Sequence, residues 1–207
     1  MKLLYLLLLA FSGFSVLPHV QHAEPAVKPT IKNKTDAVNE NIRLQSIAEK
    51  LRPMLKAEHF CETYCFLADM SIHSGKNRFF VYDLENDSVI HAGLVAHGSG
   101  SETESGRLKF SNEAGSLATS LGRYRIGQEY IGKYGLAFKL SGLDKTNSNA
   151  YERAVVLHAH PLVQATEIWP EQTCLSWGCP TVNPAFLLVL KKYINDADGP
   201  VMLYVFY

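Results

Sequence analysis

Near its C-terminal end the chain reads Ser176-Trp177-Gly178-Cys179-Pro180, about twenty residues after the apolar run Val155-Val156-Leu157-His158. A cysteine behind a glycine turn, with an imidazole delivered by a separate segment, has the makings of a nucleophile and its base. Cysteine attacks as the thiolate, so it needs a neighbour that lowers its pKa or takes its proton. Gly178 frees the backbone for a close approach, and the amides around Gly178 and Cys179 can face a developing oxyanion. A helix start just downstream, at Asn183, adds partial positive charge that favours a thiolate.

The same residues admit other chemistry. His158, His160, Cys174 and Cys179 are a valid zinc ligand set, but one residue between the histidines is tighter than the usual spacing, and the cysteines follow rather than precede them. With Cys179 free, Cys61, Cys65 and Cys174 remain for disulfides. Cys61 can pair with Cys65, and Cys174 with either; a Cys174–Cys179 bridge would end the catalytic reading.

These residues need elements to hold them. Lys2 followed by the apolar stretch from Leu3 to Phe14 reads as a secretory leader ending near Ala23, too short for a comfortable membrane span of about 20 residues. Residues 24–37 are polar, with Pro25 and Pro29, and read as a linker. Val38, Ile42, Leu44, Ile47, Ala48 and Leu51 recur at helical spacing, which predicts a helix over 38–51, disturbed at Pro53, with a short helical turn from Met54 to His59. Strands are predicted at Phe66–Met70, Arg78–Leu84, Val89–Ala96, Gly122–Gly127, Leu136–Leu140, Ala154–His158 and Val201–Phe206, with Glu85-Asn86-Asp87 as a hairpin turn. His97 to Gly122 reads as a long loop of the kind that often carries function. A helix follows the cysteine, capped by Asn183 and begun by Pro184, with Phe186, Leu187, Leu190, Tyr193 and Ile194 on its apolar face. The expected organisation is a leader at 1–23, a linker and N-terminal helical segment at 24–60, and one mainly β domain at 61–207 with a few helices.

Composition narrows the function. Hydrophobic residues make up 47% and charged residues 19%, enough for a substantial core. Lys+Arg and Asp+Glu both number 20, so the basic excess of a nucleic-acid binder is missing.

From Phe66 to Pro180 the chain resembles the YkuD-type L,D-transpeptidase catalytic domain, in the branch whose nucleophile motif ends in Gly-Cys-Pro. The resemblance runs in order through Arg78 to Leu84, Val95-Ala96-His97-Gly98-Ser99-Gly100, Phe110-Ser111-Asn112, Gly115-Ser116, Ser120-Leu121-Gly122 with Tyr124, Tyr130 to Gly135, Leu140 to Leu143, Arg153 to His158, and Ser176 to Pro180. It implies a β-sandwich-like body with a cleft and no cofactor or metal. It implies that Cys179 forms a thioester with a peptidoglycan stem peptide, expelling D-alanine, and passes the acyl group to an amine or to water. His158 would act as base and then acid, oriented by a backbone carbonyl, while Ser176 and Gly178 shape the turn and the oxyanion hole. His97, Gly98, Ser120, Tyr130, Tyr134, His160 and Trp177 would contact substrate. The location implied is the periplasm or cell envelope, with no membrane span once the leader is removed. Two departures stand out: Ala159 replaces the glycine usual after the histidine, and Thr181 stands where the wider family has an arginine. Carboxylate binding would then fall to Arg123, Arg125, Lys133 or Lys139. A carboxypeptidase or crosslink-cleaving peptidase on the same scaffold, and an unreactive wall-binding module, are the rival readings.

Overall fold

The computed structural model describes residues 34–207, with side chains from Val38 onward. The expected leader and residues 24–33 of the expected linker lie outside the described residues. The first described element is one helix, α1, Lys34–Ala57. It starts inside the expected linker and runs through Pro53. Leu44, Ala48, Leu51 and Leu55 form its buried stripe, whereas Pro53 and Glu49 are exposed. The carbonyl of Glu49, which loses its helical partner to the proline, therefore faces water, and packing on both sides of Pro53 holds the helix together.

Nine strands follow the helix: β1 Tyr64–Asp69, β2 Phe79–Asp83, β3 Ser88–Gly93, β4 Val95–Ala96, β5 Gly122–Gly132, β6 Gly135–Gly142, β7 Val156–Ala159, β8 Thr181–Val182 and β9 Met202–Phe206. A second helix, α2, Pro184–Asp196, lies between β8 and β9. The Asn183 side chain caps α2 by accepting the Ala185 amide at 2.9 Å, and Pro184 occupies its first turn as the sequence predicts. The architecture is thus mainly β with a helix before and a helix after the cysteine.

All nine strands belong to one sheet, in the order β3-β2-β1-β9-β5-β6-β7-β8-β4. β1–β9 and β7–β8 are parallel and the other pairs antiparallel. The two outermost strands, β3 and β4, are separated in sequence by Leu94 alone, so the sheet must curl until its edges meet, giving a near-barrel. The single strand predicted over Val89–Ala96 is split at this corner. Gly93 sits there because the Phe186 ring of α2 lies 2.6 Å from where a Cβ would stand.

Alternation along the strands fills two cores. Phe66, Phe79, Val81, Phe138, Leu157 and Val182 face α2's Leu187 and Leu190. Leu67, Phe80, Tyr82 and Met202 face α1's Leu44, Ala48, Leu51 and Leu55. Covering both faces explains why β1 and β2 read as unbroken apolar runs. Among the described residues no helix is long and apolar enough to cross a membrane.

Candidate active site

The site forms where β7 and β8 run side by side. Their parallel register sets His158 opposite Thr181 and Ala159 opposite Val182. Cys179 stands two residues before Thr181, so the short strand β8, unforeseen in the sequence, carries the cysteine to the cavity that His158 also lines. β7 begins at Val156 rather than at Ala154, because Ala154 takes a left-handed turn (φ 54°). That conformation is uncommon away from glycine. It aims the Ala154 carbonyl at Cys179, 3.8 Å from Sγ.

The cysteine turn is fastened from below. Ser176 donates its amide to the His97 carbonyl (2.9 Å) and accepts the Ser99 amide on its own carbonyl (2.8 Å). Its hydroxyl donates to the Cys179 carbonyl at 2.7 Å and accepts the Gly178 amide at 3.1 Å. Gly178 adopts φ 109°, open to glycine and strained for other residues. Gly98 packs directly beneath it: a Cβ on Gly98 would lie 2.1 Å from the Leu117 carbonyl oxygen and 2.8 Å from Gly178 Cα. Arg153 braces the facing loop by donating to the carbonyls of Ser111 (2.8 Å) and Ala118 (2.7 Å).

His158 is only 8% exposed. Nδ1 lies 3.1 Å from the Ala159 carbonyl and Nε2 lies 3.0 Å from Thr181 Oγ1. Burial holds its pKa below the ordinary histidine value; the Ala159 carbonyl pulls upward and nearby His160 adds a further downward push. The ring is therefore neutral near pH 7. Burial also raises the Cys179 thiol pKa, against opposing pulls from the Val156 backbone and the Arg153 charge. The resting pair is a neutral thiol and a neutral imidazole, which makes a proton acceptor for the thiol more important than a standing thiolate.

Cys179 and His158 open on one cavity of about 260 Å³, together with Ser176, Tyr134, His160 and Trp177 from the expected set and Leu162, Cys174, Leu175 and Thr181 outside it. Tyr134, at the β5–β6 turn, stacks on His158 with ring centroids 5.4 Å apart and meets His160 edge-on at 6.0 Å. The remaining expected residues stand elsewhere. His97 is buried, accepting from Arg78 at Nδ1 (2.8 Å) and donating from Nε2 to Glu102 (2.5 Å). Ser120 bonds the Tyr124 hydroxyl at 2.7 Å in the core. Tyr130 lies on the hairpin arm near Lys139, and Gly98 backs Gly178. A larger groove of about 660 Å³ between α1 and β9 holds the Arg123–Asp144 ion pair and no cysteine or histidine.

Of the four cations considered for a carboxylate, Arg123 is tied to Asp144, Arg125 lies 4.2 Å over Phe60, and Lys139 lies over Tyr130 and Tyr151. Lys133 is held 5.4 Å over Tyr134, the ring that walls the cavity. All four cysteines are free thiols. Among the described residues no three His, Cys, Asp or Glu side chains gather as a metal ligand set, so the four-ligand zinc arrangement is not assembled. The residues missed from sequence, Thr181 and Arg153 above all, act through contacts between distant segments; Thr181 was visible only as a substitution and Arg153 only as the first residue of a motif.

A family model for the L,D-transpeptidase catalytic domain matches residues 38–206. No curated protein matches the chain. Among solved structures, the chain is similar to the helical cell shape determining protein Pgp2 from Campylobacter jejuni, at 15% identity and TM-score 0.45, over 69% of this chain and 47% of that one. It is similar to an L,D-transpeptidase from Xylanimonas cellulosilytica at 12% identity and TM-score 0.37, over 70% and 61%. L,D-transpeptidase 1 of Mycobacterium tuberculosis matches at 14% identity and TM-score 0.35, over 70% and 62%. The chain thus spans 47–62% of these three structures.

Proposed function

Because the chain belongs to the L,D-transpeptidase catalytic domain family, we propose that it is an exported enzyme that acylates Cys179 with a peptidoglycan stem peptide and transfers the acyl group to an amine of a neighbouring stem. Cys179 Sγ attacks the carbonyl carbon of the third stem residue while the thiol proton passes to His158 Nε2. The tetrahedral oxyanion forms beside the cysteine turn. The Gly178 amide already serves Ser176, so the Cys179 amide is the donor we assign to it. Collapse breaks the C–N bond, and the departing D-alanine amine takes the proton from His158. The acceptor amine then attacks the thioester carbonyl and gives a proton to His158; collapse breaks the C–S bond, and His158 returns that proton to the departing sulfur, regenerating the Cys179 thiol. Lys133, over the cavity wall, is the residue we assign to a substrate carboxylate.

The observation that carries this reading is a free Cys179 and a neutral His158 opening on one cavity. The test is incubation of the purified chain with tetrapeptide-stem muropeptides, followed by mass spectrometry. Crosslinked dimers and an acyl adduct on the intact protein are the expected result, both abolished in Cys179→Ser. Trimmed monomers alone would assign the chain to hydrolysis. No adduct and no product from the native protein would remove the enzyme reading.

A further inference from the structure

Thr181 is 2% exposed, and its one hydroxyl proton has two acceptors in reach: His158 Nε2 at 3.0 Å and the Cys179 carbonyl at 3.2 Å. A hydroxyl can donate to one of them at a time while accepting from another group. On the far side of the ring, the Ala159 carbonyl at 3.1 Å only accepts, so Nδ1 carries a hydrogen in either charge state. In the neutral ring Nε2 is then bare and takes the Thr181 proton. In the imidazolium Nε2 carries a proton and donates it to Thr181 Oγ1, whose own proton is free to turn to the Cys179 carbonyl.

We propose that Thr181 is a positioning residue whose hydroxyl reverses direction with the charge of His158, donating to Nε2 when the ring is neutral and accepting from it when the ring is charged. Its role in catalysis rests on the assignment of His158 as the base; the reversal itself does not. Each turnover charges His158 and discharges it, and a buried ring with a partner suited to one state alone would resist the other. Thr181 serves both states without moving a heavy atom. The other groups around the ring do not substitute for it. His160, from the same strand end, lowers the ring's proton affinity; Tyr134, from the β5–β6 turn, offers its π face; Lys133 lies over Tyr134; Cys179 and Cys174 line the same cavity; and the Arg153 charge acts on Cys179.

The test is long-range 1H–15N NMR of the His158 imidazole across pH in the native protein, Thr181→Val and Thr181→Ser, which reads tautomer and titration midpoint without any substrate. The native neutral ring is expected to carry its hydrogen on Nδ1. In Thr181→Val the midpoint moves to lower pH, because losing an acceptor for a charged donor costs more than losing a donor to a neutral nitrogen. Thr181→Ser restores the native midpoint. Acylation by a tetrapeptide stem slows about tenfold or more in the valine variant and recovers in the serine variant, in step with the NMR midpoint. A neutral ring carrying its hydrogen on Nε2, or an unmoved midpoint in a Thr181→Val protein of native fold, overturns the proposal. His158→Gln separates the two assignments: full acylation in that variant refutes His158 as the base and leaves the NMR result on Thr181 standing.

Discussion

His158 and His160 open on the same cavity, yet their lone pairs are committed differently. His160 Nδ1 accepts the Leu162 amide at 3.2 Å, which fixes the neutral ring's hydrogen on Nε2. His158 keeps Nδ1 on a carbonyl and a basic Nε2 against a rotatable hydroxyl. His158→Gln is therefore expected to cut kcat/KM for D-alanine release by about 10²–10⁴, and His160→Gln by less than about threefold. Lys133→Ala is expected to raise KM about threefold or more with kcat retained, and an amidated donor to remove the difference between it and the native protein; equal KM values with the free-acid donor would take the carboxylate away from Lys133. Much at this scale is legible in the sequence: Ser176, Gly178 and Cys179 form a contiguous turn, and His158 ends an apolar run. Ala159, which replaces the usual glycine, supplies the backbone carbonyl that holds the His158 ring. Thr181 and Arg153 escape because nothing local marks a hydrogen bond between separate strands or loops.

Two elements carry the turn: the β7–β8 pair and the 97–98 strand end that grips Ser176. Gly98 lets that strand end lie against Gly178. Gly98→Ala is expected to lower stability by about 1–3 kcal/mol by forcing the Leu117 backbone away, and to slow acylation as the Cys179 turn shifts; denaturant unfolding and adduct kinetics read both effects. On the opposite face, Pro53 interrupts the hydrogen bonding of α1 on its wet side. Pro53→Ala should stabilise the protein by about 2–2.5 kcal/mol, the roughly 3 kcal/mol helix penalty less the roughly 0.4–1 kcal/mol of entropy that proline removes from the unfolded chain. The α2 cap and most strands are readable because caps and period-2 runs are local signals. The α1 boundary is not, because tertiary packing overrides the proline, and neither is the break at Leu94, because a corner of a closed sheet has the same composition as a strand.

Across the whole molecule, buried neutral histidines set the response to acid. His97 and His158 both have folded pKa values below the ordinary 6.5, chiefly through burial; Glu102 opposes this at His97, and the Arg78 charge reinforces it. The unfolded chain therefore binds more protons than the folded one just below pH 6.5, so this contribution is full above that pH and is lost as pH falls. Tm is expected to drop between pH 7 and pH 5, above the range where the depressed carboxyls of Asp83 and Asp144 titrate, and His97→Gln should flatten part of that drop. The order of the sheet has a consequence in time. β9 lies between β1 and β5, yet it follows every other strand in sequence. A ribosome therefore delivers β3-β2-β1 and β5-β6-β7-β8-β4 as two separate half-sheets, tethered through Leu94, before the strand that joins them exists. Until β9 emerges, the edges of β1 and β5 stay open to a chaperone or to a neighbouring chain.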